Sequence, residues 1–210
     1  MEKSVGDIVE AVKVCIDEIG LNDAEFLGEQ DNEEMDTIIR SKIGEALRFV
    51  NGNADWALLE PDTVLTEATV GSDLVGRVSL PDNYLRVCYA RFRSWPLYLS
   101  DPIYWDDREY ATLADPYATG TWERPKLAMV LHPSRMLELY KAKDTQDTAE
   151  VGIVTDQDGA ESITIGARLY PALIYYVSGL TLLTYRDQHA DSLFNQAMVL
   201  MGINPSGATS

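Results

Sequence analysis

Leu169–Tyr185, LYPALIYYVSGLTLLTY, is the stretch on which the reading of the whole chain turns. Pro171 suits a first helical turn, where its missing N–H would have no partner anyway. The run carries no charged side chain and is apolar on nearly every side. A surface helix shows one apolar stripe, whereas a helix apolar all round has to be enclosed. The stretch therefore predicts the central helix of a core, and its neighbours must be supplied by the rest of the chain.

Three amphipathic segments answer that need. Near the start, Val5, Ile8, Val12, Cys15, Ile16 and Ile19 recur at helical spacing, with Ser4 and Asp7 as a capping box and Gly20 as a stop. Met35, Ile38, Ile39, Ile43, Ala46, Leu47 and Val50 mark a second helix closed by Asn51 and Gly52, and Leu193, Phe194, Ala197, Leu200 and Met201 mark another over about 190–201 that Gly202 ends. Each buries one stripe, so the helices of the two ends are expected to pack together. Asn22–Asn32 between the first two reads as a polar, solvated linker, and Asn204–Ser210 as a mobile tail.

The middle of the chain changes period. Val64–Val70, Arg77–Leu80, Leu85–Arg93, Lys126–Leu131 and Leu137–Lys141 read as strands, and Val151–Thr155 with Ser162–Ile165 as a hairpin around Asp158-Gly159. A short helix is expected near Asp106–Leu113. The fold class predicted is α+β: a helical bundle from the N- and C-terminal helices (1–62 and 167–203) with an inserted antiparallel β lobe (63–166) and a tail (204–210).

The chain has 34 acidic against 17 basic residues, a formal charge of −17. Wrapping duplex DNA needs clustered Lys and Arg to displace counterions, so that class is disfavoured. Two cysteines, Cys15 and Cys88, are expected to be buried free thiols of a reducing compartment. No signal-like start and no long apolar run is visible, so export and membrane insertion are not expected.

Motifs with chemistry are weak. Gly71–Gly76 has phosphate-loop spacing, but Arg77 and Val78 stand where Lys and Ser or Thr are needed. Asp156-Gln157-Asp158-Gly159 lacks the later glutamate of a calcium loop. His132 and His189 have no companion ligands at zinc spacing. Asp106, Asp107 and Glu109 read as a solvated face rather than a convergent acid/base group. No catalytic residue, cofactor site or metal site is expected, although a hydrolase with a dispersed carboxylate site stays an alternative. The concentration of Trp95, Tyr98, Tyr104, Trp105, Tyr110, Tyr117 and Trp122 in one segment has two readings: a satellite core, or an interface, since large amphipathic rings and Arg favour subunit contacts. Trp95, Tyr104, Trp105, Tyr117, Trp122 and Arg124 are the candidate interface residues.

Several landmarks in order resemble the head–tail connector, or tail tubular protein A-like, ring proteins of podoviruses and crAss-like phages. They are Leu80-Pro81-Asp82-Asn83-Tyr84-Leu85-Arg86, then Trp95-Pro96-Leu97, then Tyr117–Pro125 with Gly120 and Trp122, then Leu131-His132-Pro133 with Leu137-Glu138-Leu139-Tyr140, and the closing Leu169–Tyr176 with Tyr185, Asp191, Phe194 and Ala197. The linker 22–32 is longer than is usual there. The resemblance implies a structural virion protein made in the host cytoplasm. It implies a self-assembled ring, commonly a dodecamer, docked between the portal protein and a tail-side ring or tail hub protein. Double-stranded DNA would be retained behind it and pass through without sequence-specific binding. Another virion or intracellular adaptor is the alternative of similar build.

Overall fold

A computed structural model describes residues 1–18 and 29–203, and the side chains of 1–17 and 33–203. The expected Gly20 stop, most of the linker and the expected tail lie outside the described residues. In chain order the elements are β1 (Glu2–Ser4), α1 (Val5–Glu18), α2 (Glu29–Asn53), a 3-10 turn (Trp56–Leu58), β2 (Thr63–Leu65), β3 (Thr69–Val70), β4 (Val75–Ser79) and β5 (Tyr84–Phe92). There follow β6 (Ile103–Tyr104), α3 (Arg108–Thr112), β7 (Leu127–Val130), β8 (Met136–Tyr140), β9 (Ala149–Thr155), β10 (Ser162–Thr164), α4 (Tyr170–Thr184) and α5 (Ala190–Leu200). The fold is α+β. It divides into a helical unit, residues 1–60 with 156 onward, and a β unit, Pro61–Thr155.

In the helical unit, α4 is the element that packs on α1, α2 and α5 alike. Its Leu173 and Val177 meet Ile8, Val12 and Ile16 of α1, Ile39, Leu47 and Val50 of α2, and Leu193 of α5 in one core. The helix that reads as apolar all round is the one enclosed. At Gly179 a Cβ would lie 2.7 Å from the Phe194 ring, so the glycine lets α5 close on α4. The capping box is reciprocal: Ser4 Oγ accepts the Asp7 N–H (3.1 Å), and Asp7 Oδ2 accepts the Ser4 N–H (3.4 Å). Helix α2 begins at Glu29 rather than near Met35, so the end of the expected linker, 29–32, is helical. Acidic residues are favoured in a first helical turn by the macrodipole, which lets an acid-rich run extend a helix as readily as leave one.

The expected hairpin of Val151–Thr155 with Ser162–Ile165 does not form. Strand β9 has both edges occupied, by β2 and β5, and offers β10 none. Strand β10 instead pairs antiparallel with β1, Lys3 opposite Ile163. The turn between them is tied to α2, where the Arg48 guanidinium donates to Asp156 Oδ2 (2.8 Å) and to Asp158. Ile163 and Ile165 are thereby buried in the helical core, and the inserted unit ends at Thr155 rather than at 166.

The β unit is two sheets over a shared core. One has the order β2-β9-β5, the other β3-β4-β8-β7-β6. All pairings are antiparallel except β6 with β7, which is parallel. The stretch read as one strand from Val64 to Val70 is two, β2 in the first sheet and β3 in the second. Phe92, Leu127, Met129, Leu137, Leu139, Val151 and Ile153 fill the space between the sheets. The side-chain alternation of a strand turns the other residues of β4, β7 and β8 to the opposite face. There Val75, Ala128 and Tyr140 are buried with Leu113, and Ile103 and Tyr110 pack against them. The segment between β5 and β7 thus covers the outer face of the five-stranded sheet.

Candidate functional site

The aromatic segment is where sequence and structure have most to settle. Trp95 is no surface residue: it is 4% exposed. The turn after β5, closed by the Trp95 N–H on Phe92 O (3.0 Å), folds the indole back over the inter-sheet core. There it meets the Phe92 ring edge-on (5.2 Å between centroids) and donates its Nε1–H to Lys141 O (3.0 Å). An indole so placed has its apolar area and its one donor both satisfied within the chain, and Trp95 leaves the candidate interface.

The other candidates lie at the surface. Tyr104 and Trp105 are exposed at the free edge of the five-stranded sheet, where the Trp105 N–H donates to Met129 O (2.9 Å) and its ring meets His132 edge-on (5.9 Å). Tyr117 is 95% exposed and Trp122 50%. Tyr117 is presented by a turn in which Asp115 Oδ1 accepts its N–H (2.9 Å). Trp122 and the exposed Arg124 sit on a turn whose Thr121 and Arg124 exchange backbone N–H···O bonds of 3.1 Å each. Gly120, at φ +83°, is required there, because a Cβ would strike Arg124 O. Among the described residues, no two of the Tyr104, Trp105, Tyr117 and Trp122 rings stack on each other. Tyr98, exposed as well, is occupied internally by Arg91 over its face (4.2 Å) and Tyr89 at its edge (5.2 Å).

Beneath this segment lies a cavity of about 500 Å³, lined among others by Arg77, Tyr110, Leu113, Glu138, Tyr140 and Lys141. Its floor carries a carboxylate that sequence reasoning passes over. Glu138 is 8% exposed. It accepts the hydroxyls of Tyr140 (2.8 Å) and Tyr110 (3.2 Å) and the Arg77 Nε–H (3.3 Å), while Arg77 Nη2 donates to Asp73 Oδ2 (2.9 Å). Burial, then the bond to Glu138, raises the Tyr140 phenol well above its ordinary value, and burial raises that of Tyr110. The one sequence signal is a charge between Leu137 and Leu139, which in an alternating strand reads as a solvated face. Only the packing of α3 over that face makes it a buried position. Chemically the cluster ties α3 to β4 and β8.

Asp106, Asp107, Glu109 and the two histidines are not brought together. Asp107 Oδ2 accepts the Tyr104 N–H (3.2 Å), Glu109 pairs with Lys126 (2.8 Å) and Asp106 is exposed. His189 stands beside Asp187 (2.8 Å). Among the described residues no group of three or more His, Cys, Asp or Glu is placed to hold a metal ion. Cys88 is buried, which pushes its thiol up to about 12, whereas Cys15 is half-buried rather than enclosed as expected. No described helix is long and apolar enough to cross a membrane.

Two carboxylates of the β unit are held below their ordinary range. For Glu150 the cause is first Arg91, bonded at 2.9 and 3.3 Å, and then the Tyr89 phenol (3.0 Å); for Asp73 it is first Arg77. A carboxyl depressed in the folded state contributes stability that is complete above its unfolded value and lost as pH falls through the folded one. The thermal midpoint of the β unit is therefore expected to be insensitive to these two groups between about pH 7 and pH 5 and to fall below about pH 4. Circular dichroism melts at each pH check this, and Arg91→Met should flatten the acid limb.

No protein-family model matches the chain, and no curated protein is detectably similar to it.

Proposed function

We propose that this chain is a ring subunit in the neck of a tailed bacteriophage, joining the portal to the tail and forming the passage for packaged DNA. The observation that carries the reading is the set of large rings, Tyr104, Trp105, Tyr117 and Trp122, held exposed on bonded turns and a sheet edge. Large rings turn about only two side-chain torsions and here stand on a bonded backbone, so covering them costs little entropy for the area gained, which is what hot spots at subunit contacts require. The chain order supports it too, with helices of both ends in one unit and the β unit inserted between them. So does the charge of −17, because an acidic passage repels phosphates and holds DNA loosely. Partners in this reading are other copies of the chain in a ring, the portal protein, a tail-side ring or hub, and duplex DNA in transit. The reading as a hydrolase with dispersed carboxylates gains nothing from the cavity, whose buried carboxylate has its oxygens engaged by two phenols and a guanidinium.

Negative-stain microscopy of the purified protein, with and without the portal protein of the same phage, tests this. Rings, or ring-on-ring stacks with portal, are expected, and persistent monomers in the presence of portal would overturn the reading. Within it, Trp122→Ala or Arg124→Glu should weaken assembly by a factor of about 30 or more, as for a residue worth about 2 kcal/mol at an interface. The thermal midpoint of the monomer should move little. Normal assembly of both variants would make the 121–124 turn a surface loop and no more.

A further inference from the structure

The outward faces of the helices differ in charge. On α1 the exposed face runs through Asp7, Glu10, Val14 and Asp17, and on α2 through Glu33, Glu34, Arg40, Glu45 and Arg48. On α5 the exposed residues are Asp191 in the first turn and then the uncharged Ser192, Asn195, Gln196, Val199 and Leu200. The five uncharged residues recur at intervals of three and four, so they form one stripe, bordered at its N-terminal end by Asp191 and opposite the buried stripe of Leu193 and Ala197. From Ser192 to Ile203 no side chain is ionisable. Val199 is 60% exposed, beside a surface groove of about 640 Å³ that the stripe shares with Tyr175 of α4.

We infer that this α5 face is covered by a second copy of the same chain. Copies that each carry −17 repel one another wherever acidic faces approach within a Debye length, about 8 Å at physiological salt. The stretch of the α5 face from Ser192 onward can be brought to contact without desolvating a charge, with Asp191 left at the rim in water, and the centres of subunit interfaces are depleted of charge for that reason. Ser, Asn and Gln each carry both a donor and an acceptor. A face made of them with Val and Leu is therefore complementary to its own kind, whereas a charged face calls for a partner of opposite sign. Val199 and Leu200 supply the apolar area that contact would remove from water. This contact lies beyond the neck reading, because it concerns the helical unit rather than the aromatic segment.

Sedimentation equilibrium of the 23.4 kDa chain against concentration and salt provides the test. The wild type should self-associate at tens of micromolar, and more strongly as NaCl rises from about 20 to about 500 mM, because screening removes repulsion and no ion pair is lost. Val199→Asp should weaken association at least tenfold with an unchanged circular dichroism spectrum, and the near-isosteric Gln196→Glu should do the same in lesser degree. Glu10→Gln, on the acidic α1 face, should not weaken it. A wild type that stays monomeric to hundreds of micromolar, association that weakens with salt, or a Val199→Asp variant that associates like the wild type would each overturn the inference. Rings formed on portal equally well by Val199→Asp would do so while leaving the neck reading intact.

Discussion

Phe92→Ala is expected to destabilise the β unit by about 3–5 kcal/mol, the range for deleting a fully buried aromatic side chain. Phe92 is wholly buried at the end of β5, edge-on to Trp95 and facing Gly76 of β4 so closely that a Cβ on that glycine would collide with the ring. A glycine has no side chain to swing into the vacated space, so the cavity persists and the cost belongs near the top of the range. Chemical denaturation followed by circular dichroism and by tryptophan fluorescence, of which the buried Trp95 supplies the environment-sensitive part, measures it. Val64→Ala, at an exposed position of β2, is the control and should stay within about 0.5 kcal/mol of wild type. A loss below about 2 kcal/mol for Phe92→Ala would mean that the site collapses on truncation, and the close fit of ring and glycine would lose its role.

Glu138→Ala should cost about 2–4 kcal/mol, since it strands a guanidinium and two phenols that are bonded to one buried carboxylate. Asp73 still compensates Arg77, which keeps the loss below that of an ion pair with no second partner. Glu138→Gln retains an acceptor and should lose roughly half as much. The two variants also separate packing from charge. With the carboxylate gone, the phenols of Tyr110 and Tyr140 should titrate at lower pH than in the wild type, because one cause of their elevation is that negative charge. An unchanged phenol titration in Glu138→Gln would show that burial alone sets their behaviour.

Much of the architecture is legible in residues taken in order. The period of 3.6 marks α1, α2 and α5, and Pro171 with the near absence of a polar side to Leu169–Tyr185 marks α4 as the enclosed helix. Alternation marks β5 and β8, and the capping pair Ser4 and Asp7 marks the start of α1. Strand pairing is not legible in the same way. Asp158-Gly159 is an ordinary hairpin signal, yet β10 goes to β1, because β9 already has a neighbour on each edge and Arg48 holds the turn against α2. That outcome depends on residues more than a hundred positions apart in the chain.

The candidate interface divides along the same line. Composition alone picks out the aromatic segment of 95–124 but cannot separate a ring that closes a core from one that faces water. Trp95 and Trp122 look alike in sequence, and one is 4% exposed, the other 50%. The difference comes from backbone direction: the turn after β5 points the first inward, and the Thr121–Arg124 turn points the second out. By itself, then, the sequence determined the four long helices, most of the longer strands and which helix must be enclosed, because periodicity and solvation are local properties of side chains. Which strands pair, which rings are free, and that Glu138 is buried under α3 were decided by the tertiary structure, because burial and edge occupancy depend on what the rest of the chain brings alongside.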